Sequence, residues 1–222
     1  MAAEGSLGVA IMAGGVGRRL AAVTAGGPKA LAPFASGTLL DHQLARVAPL
    51  SPSVIVVLAH HHADAVGAAV DGRAELCIED RPLGTAGGLA LLPPGPERWL
   101  VLNVDHVSDV NIQDFAAAFR PPALAAVTEV PVVVDEGVVT VQGGRLTEWR
   151  ERPVLQFPVT IGLYVFSAAS LRQHLDGQPV DMPDLVRTMM PSGVRAWRHE
   201  GEWFDAGTPA RLSAADRWWR AH

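Results

Sequence analysis

The apolar run Leu7–Met12 (LGVAIM) empties directly into Ala13-Gly14-Gly15-Val16-Gly17-Arg18-Arg19-Leu20. Six residues without a charged side chain, ended by glycine, read as a strand buried on both faces. A glycine-rich loop leaving such a strand presents backbone N–H groups that suit phosphate oxygens, and two arginines beside it add bidentate donors. The loop is not a Walker A, because no Gly-Lys-Ser/Thr follows. It is not G-x-G-x-x-G either, since Leu20 stands where the third glycine belongs. An ordinary tight turn remains the alternative for this segment taken alone.

The pattern that follows alternates short apolar strands with helices. Strands are expected at Ser53–Leu58, Ala74–Glu79, Trp99–Asn103 and Ala123–Thr128. Helices are expected from a Thr38 cap to Ala48, at Ala63–Val70, at Thr85–Leu92 and at Asn111–Phe119. Such alternation implies an α/β sheet with helices on its faces. Beyond residue 128 the rhythm changes. Val132–Val134, Val138–Val141, Arg145–Trp149 and Val159–Phe166 are strand-like, with a Gly143-Gly144 hairpin turn. Ser167 and Asp181 are candidate caps of helices to Leu175 and Met190, Val194–Arg198 is a strand, and Thr208-Pro209 opens a last helix. A chain of 222 residues with 49% hydrophobic and 18% charged composition can bury a sizeable core. One domain with two halves is expected, over about 7–128 and about 129–212.

Other global properties narrow the partners. The net charge of −5 makes general nucleic-acid binding a poor fit. A single cysteine, Cys77, excludes an internal disulfide, and no apolar run is long enough to span a membrane. No basic stretch followed by a long apolar run opens the chain, so a cytoplasmic protein is expected. Of the 18 basic residues only Lys29 is lysine. A lone ammonium among guanidinium groups marks either chance or a site that needs a compact charge.

Three further segments carry chemistry. Lys29 lies in Gly27-Pro28-Lys29-Ala30-Leu31, ten residues past Arg19. Asp105 ends Leu102-Asn103-Val104-Asp105, a carboxylate just beyond a buried strand, where ligands bind in open α/β sheets. Asp205 sits in Trp203-Phe204-Asp205-Ala206-Gly207-Thr208-Pro209. A turn or cap aspartate is the plain alternative for both. A pair of carboxylates near phosphates suits Mg²⁺.

Taken together, these segments resemble the sugar-1-phosphate nucleotidyltransferases, or nucleotide-diphospho-sugar pyrophosphorylases. GGVGRRL, Thr24 and PKAL match the family opening with its spacing, Asp105 its strand-end aspartate, and WFDAGT its W-x-D-x-G-T segment. Leu83-Gly84-Thr85-Ala86-Gly87-Gly88 resembles the nucleotide-base loop, Glu151-Arg152-Pro153 the E-K-P segment, and Gly162-Leu163-Tyr164 the G-x-Y strand. Ala22 and Arg152 depart from the usual Pro and Lys. The resemblance covers residues 7–212. It implies a Rossmann-like three-layer fold with a mixed central sheet, and transfer of a nucleotidyl group from an NTP to a sugar 1-phosphate with Mg²⁺.

On this resemblance Arg19 and Lys29 are catalytic. Ala13, Gly14, Gly15, Gly17, Gly84, Thr85 and Gly87 bind the nucleotide. Gly137, Glu151, Arg152 and Gly162 bind the sugar phosphate, and Asp105 and Asp205 hold the metal. In thymidylyl- and some uridylyltransferases of the family the base loop carries a glutamine. Gly87 is taken as its position here, which favours GTP with mannose 1-phosphate or D-glycero-α-D-manno-heptose 1-phosphate. A uridylyl- or thymidylyltransferase for another hexose or amino sugar is the alternative, and an inactive nucleotide-sugar-binding regulator is the alternative of another class. A NAD-dependent oxidoreductase lacks support, since Leu58-Ala59-His60 ends the second strand without an acid. His60-His61-His62 reads as surface histidines rather than a metal site, Cys77 as a small buried residue, and Trp218-Trp219 as intrachain packing or, alternatively, a homodimer contact.

Overall fold

The structure, a computed structural model, describes residues 5–15, 17–50 and 53–222. Seven strands form one mixed sheet: β1 Leu7–Met12, β2 Ser53–Ala59, β3 Glu75–Glu79, β4 Arg98–Asn103, β5 Ala123–Val133, β6 Val154–Ser167 and β7 Arg195–Arg198. Their spatial order is β7-β5-β6-β4-β1-β2-β3. β1, β2, β3 and β4 run parallel, β6 is antiparallel to both β4 and β5, and β7 is parallel to β5.

Side-chain alternation along the strands divides the core in two. Val9 and Ile11 of β1, with Leu100 and Leu102 of β4, face helices α1 (Leu39–Val47), α2 (Ala63–Val70), α3 (Ile112–Ala117) and α6 (Pro209–Ala221). Ala10 and Met12, with Trp99 and Val101, face α4 (Ala168–His174) and α5 (Met182–Met189). The outcome is the expected three-layer α/β architecture. Helix α1 starts at a capping box, in which Thr38 Oγ1 accepts from Asp41 N and Asp41 Oδ2 accepts from Thr38 N. Trp219 packs on His42 and Phe34, which gives intrachain packing to at least that member of the tryptophan pair.

Four expected elements differ in type or extent. Thr85–Leu92 forms only a 3-10 turn, Gly87–Leu91. Glycines lower helix propensity there, and the Gly88 backbone passes against Val57 and the Glu79 carboxyl, a path set by close approach rather than helix packing. Ala123–Thr128 and Val132–Val134 are one strand, β5. Pro131 is accommodated because β7 pairs with β5 only as far as Val127, leaving Pro131 on an open edge. β6 likewise begins at Val154, five residues before expected.

β6 and β5 lose register between Thr160 and Tyr164. Gly162 lies in this break with φ +75°, and a Cβ there would stand 2.7 Å from Asn103 Nδ2. Both conformation and space demand glycine. Gly162→Ala should therefore destabilise the fold by about 1–3 kcal/mol, read as a lower denaturant midpoint. An unchanged midpoint would contradict this account of the break.

Candidate active site

The four parallel strands end at one edge, and their last residues, Met12, Ala59, Glu79 and Asn103, all line a cleft of about 620 Å³. This is where a doubly wound sheet places its ligands. Antiparallel β6 crosses the same edge and adds Thr160, Ile161, Gly162 and Tyr164.

The glycine loop after β1 forms one wall. Gly14 and Gly15 line the cleft, whereas Ala13 is fully buried and its N–H donates to Val57 O at 2.7 Å, anchoring the loop to β2. Gly17 has φ +62°, and a Cβ on it would press on Lys29 at 3.1 Å. Buried Leu20 anchors the 3-10 turn Arg18–Leu20, which leaves Arg19 free to reach the cleft.

Lys29 and Asp105 form an ion pair, Nζ to Oδ2, of 2.8 Å, with both side chains largely shielded from water. Asp105 is positioned by its neighbours. The stretch His106–Ser108 pairs antiparallel with Trp203–Asp205, setting His106 opposite Asp205, and Ala206 N donates to Asp105 O. The two carboxylates therefore share one locus. Gly207 shows how tightly: a Cβ on it would lie 2.8 Å from Asp205 Oδ1, 3.1 Å from Asp105 Oδ2 and 3.2 Å from Arg19 Nη2. Two hard oxygen donors converging on a space that a methyl would fill suit Mg²⁺, which takes one or two carboxylates and completes its shell with phosphate and water.

Beneath this locus His106 is fully buried. Its Nδ1 donates to Ile161 O, and its Nε2 accepts from Ser108 Oγ at 2.7 Å. Burial lowers its pKa to about 3, with the Arg46 charge acting in the same direction, so the ring stays neutral and ties the carboxylate strand to the β6 break.

At the other end of the cleft the loop after β3 folds over Glu79. Gly84 (φ +78°) and Thr85 line the cleft, and Asp181 Oδ1 accepts from both Thr85 N and Thr85 Oγ1. Asp181 occupies the N-cap position of α5, but its side chain serves this loop rather than the helix.

Gly87 is placed differently from its expected base-facing role. It is buried outside the cleft lining, and a Cβ on it would meet Leu83 Cβ at 2.9 Å and Gln178 O at 3.1 Å. The side chain that does face this end is Glu79. It is 5% exposed, and burial raises its pKa, partly offset by the Leu83 backbone N–H. His61 also lines the cleft, and His62 beside it is buried, so two of the three histidines read as surface residues belong to the interior or the site. Among the described residues no group of three or more His, Cys, Asp or Glu side chains gathers as a metal site. Cys77 is half-buried and reduced.

Gly137, Glu151 and Arg152 do not line the cleft. They lie on or beside the hairpin Val138–Gln142/Arg145–Arg150. Trp149 Nε1 donates to Glu151 Oε2 at 3.0 Å, and Arg152 Nε donates to Asp135 O at 3.3 Å. A Cβ on Gly137 would strike the Trp149 indole at 2.7 Å.

The family model described as Nucleotidyl transferase matches residues 9–219. The chain belongs to that family. It is 30% identical over 219 residues to a mannose-1-phosphate guanylyltransferase catalytic subunit beta of Danio rerio, covering 90% of this chain and 61% of that protein. It is 29% identical over 231 residues to an N-acetylmuramate alpha-1-phosphate uridylyltransferase of Caulobacter vibrioides, covering 93% and 95%. In fold it is similar to a Bacillus anthracis protein described as a glucose-1-phosphate thymidylyltransferase, with TM-score 0.77, 20% identity and coverage of 98% and 96%. No helix among the described residues is long and apolar enough to cross a membrane.

Glu79 has a direct consequence for stability. Its folded pKa lies above the ordinary value, so folding favours its protonated form. Relative to a neutral side chain it costs stability once pH exceeds the ordinary glutamate range, and the cost grows until pH passes the folded pKa. Glu79→Gln should therefore raise Tm at neutral pH, and the gain should vanish near about pH 4. A Tm difference independent of pH would refute the burial account.

Proposed function

We propose that the chain transfers a nucleotidyl group from an NTP, with GTP preferred, to the 1-phosphate of a mannose- or heptose-type sugar, releasing pyrophosphate. The reaction class rests on the convergence of Arg19, Lys29, Asp105 and Asp205 at the C-terminal edge of the sheet, beside a glycine loop. In the transfer, an ionised oxygen of the sugar phosphate attacks the α-phosphorus. The bond from that phosphorus to the bridging oxygen breaks, and pyrophosphate leaves with the electron pair. Both reactants are anions, so the protein's work is alignment and charge compensation.

Gly14, Gly15 and Gly17 cradle the triphosphate through backbone N–H groups. Arg19 offsets charge on the β- and γ-phosphates. Lys29 turns its compact ammonium toward the α-phosphate as negative charge builds there. No side chain is required as general base, because the attacking phosphate is already ionised. Asp105 and Asp205 would hold Mg²⁺, which when bound would supply positive charge to offset that of the reacting phosphates. Gly162 keeps the floor under the sugar open, whereas Glu151 and Arg152, held on the hairpin outside the cleft lining, take no part in this reading.

The base preference rests on Glu79. Guanine presents two adjacent donors, N1–H and the 2-amino group, and an ionised carboxyl accepts both. Uracil and thymine present one N–H between two carbonyl oxygens, which a carboxylate repels. A second reading, uridylyl transfer to an amino-sugar phosphate, draws on the Caulobacter relative, whose full length this chain matches at 95%. The discriminating measurement is kcat/KM for GTP, ITP, UTP and dTTP with mannose 1-phosphate and N-acetylmuramate 1-phosphate. GTP should lead, and Glu79→Gln should lower its kcat/KM by about ten- to a hundredfold while sparing UTP. A wild type that prefers UTP would replace the first reading with the second.

Lys29→Ala should reduce kcat far more than it raises KM for the NTP, and Lys29→Arg should not restore it, because a planar fork cannot take the same position. Asp105→Asn and Asp205→Asn should each nearly abolish turnover without unfolding the chain. EDTA should stop the wild type and Mg²⁺ restart it. Full turnover in EDTA, or an active Lys29→Ala variant, would contradict these roles.

A further inference from the structure

Asp205 has both carboxylate oxygens engaged. Oδ1 accepts from Gly207 N at 3.0 Å, and Oδ2 pairs with Arg211 Nη1 at 2.9 Å. Arg211 lies in the first turn of α6, three residues beyond the N-cap Thr208, and its side chain is 61% exposed. A cation is badly placed there, because the helix dipole and the free N–H groups of a first turn favour negative charge. The position is also the one that a capping box gives to an acid or its amide. Helix α1 obeys this rule with Thr38 and Asp41, whereas α6 breaks it with Thr208 and Arg211. A local rule broken beside a functional carboxylate points to a compensating role.

We propose that Arg211 is a built-in counter-ion for Asp205 that competes with the divalent cation and so sets the affinity of the two-carboxylate site. This inference rests on the reading of Asp105 and Asp205 as the metal pair. The two carboxylates converge on one locus, and each is held by its own cation, Lys29 on Asp105 and Arg211 on Asp205. Without a metal these pairings relieve the repulsion between them. When a divalent cation arrives, Lys29 has a second anion available in the α-phosphate. Arg211 stands at the solvent-exposed rim, so its release costs only an exposed ion pair and returns the guanidinium to water. The chain thereby keeps the site closed to loosely bound cations until substrate phosphates add their own oxygens.

The test is Mn²⁺ binding, followed by electron paramagnetic resonance on wild type, Arg211→Gln and Arg211→Lys. It is run with and without GTP, in the absence of any sugar phosphate. At low ionic strength Arg211→Gln should bind Mn²⁺ about three- to fivefold more tightly, the span an exposed ion pair is worth. The gain should shrink in salt, and Arg211→Lys should bind like wild type. Tm of Arg211→Gln should be unchanged or higher, because glutamine suits the capping-box position. Equal or weaker Mn²⁺ binding by Arg211→Gln would overturn the counter-ion role, weaker binding marking Arg211 as a strut for Asp205. Wild type that binds no Mn²⁺ in either state would instead overturn the two-carboxylate reading, and this inference with it.

Discussion

Two carboxylates held at one place, Asp105 buried and Asp205 toward the solvent-exposed rim, form the constraint around which this molecule is arranged. Asp105 is 8% exposed, and Asp205 faces it across the space that Gly207 leaves open. Like charges so placed repel, and cations and hydrogen bonds around them offset that repulsion. Lys29, Arg19 and Arg211 provide the charge. The backbone pairing of His106 with Asp205, and the buried ring of His106 against Ile161 O, provide the geometry. None of these groups is local to Asp105 in sequence except His106, so the site exists only once β1, β4, β6 and the start of α6 have been brought to the same edge.

The chemistry at the two ends of the cleft differs accordingly. The end that holds Asp105 and Asp205 is rich in cations, while Glu79 at the far end has no cationic partner within salt-bridge distance among the described residues. An unpaired buried carboxyl costs the fold stability at neutral pH. On the proposed guanine preference, base selection and stability pull in opposite directions at this one residue.

Much of this was legible in the sequence, and the failures have physical causes. β1 and α2 fall on the expected residues because periodicity and glycine punctuation agree with the tertiary environment there. The segment Thr85–Leu92 was mistaken for a helix because its backbone path is dictated by close approach to β2 and Glu79, which no local pattern encodes. Asp105 reads as a strand-end acid, and Glu79, which closes the strand Glu75–Glu79, satisfies the same criterion, although the base loop itself directs attention to Gly87. His61 follows the end of β2 in the same way. The rule that ligands gather at the carboxyl ends of parallel strands, applied to all four strands rather than two, picks out both residues.

The sugar-side segments show where spacing stops being informative. Gly137, Trp149 and Glu151 form a unit, an indole packed on a glycine and tethered to a carboxylate, but the unit sits on a two-stranded hairpin away from the cleft wall. The hairpin turns its apolar side chains Val139, Val141, Leu146 and Trp149 toward solvent. A strand pair with so little core beneath it is held mainly by its own ladder, and so belongs to the least constrained part of the structure. The glycine loop and Asp105, by contrast, follow β1 and β4, whose side chains are buried on both faces. In the proposed reaction the charges around the reacting phosphorus need fixed positions, and those charges lie at the sheet edge rather than on the hairpin.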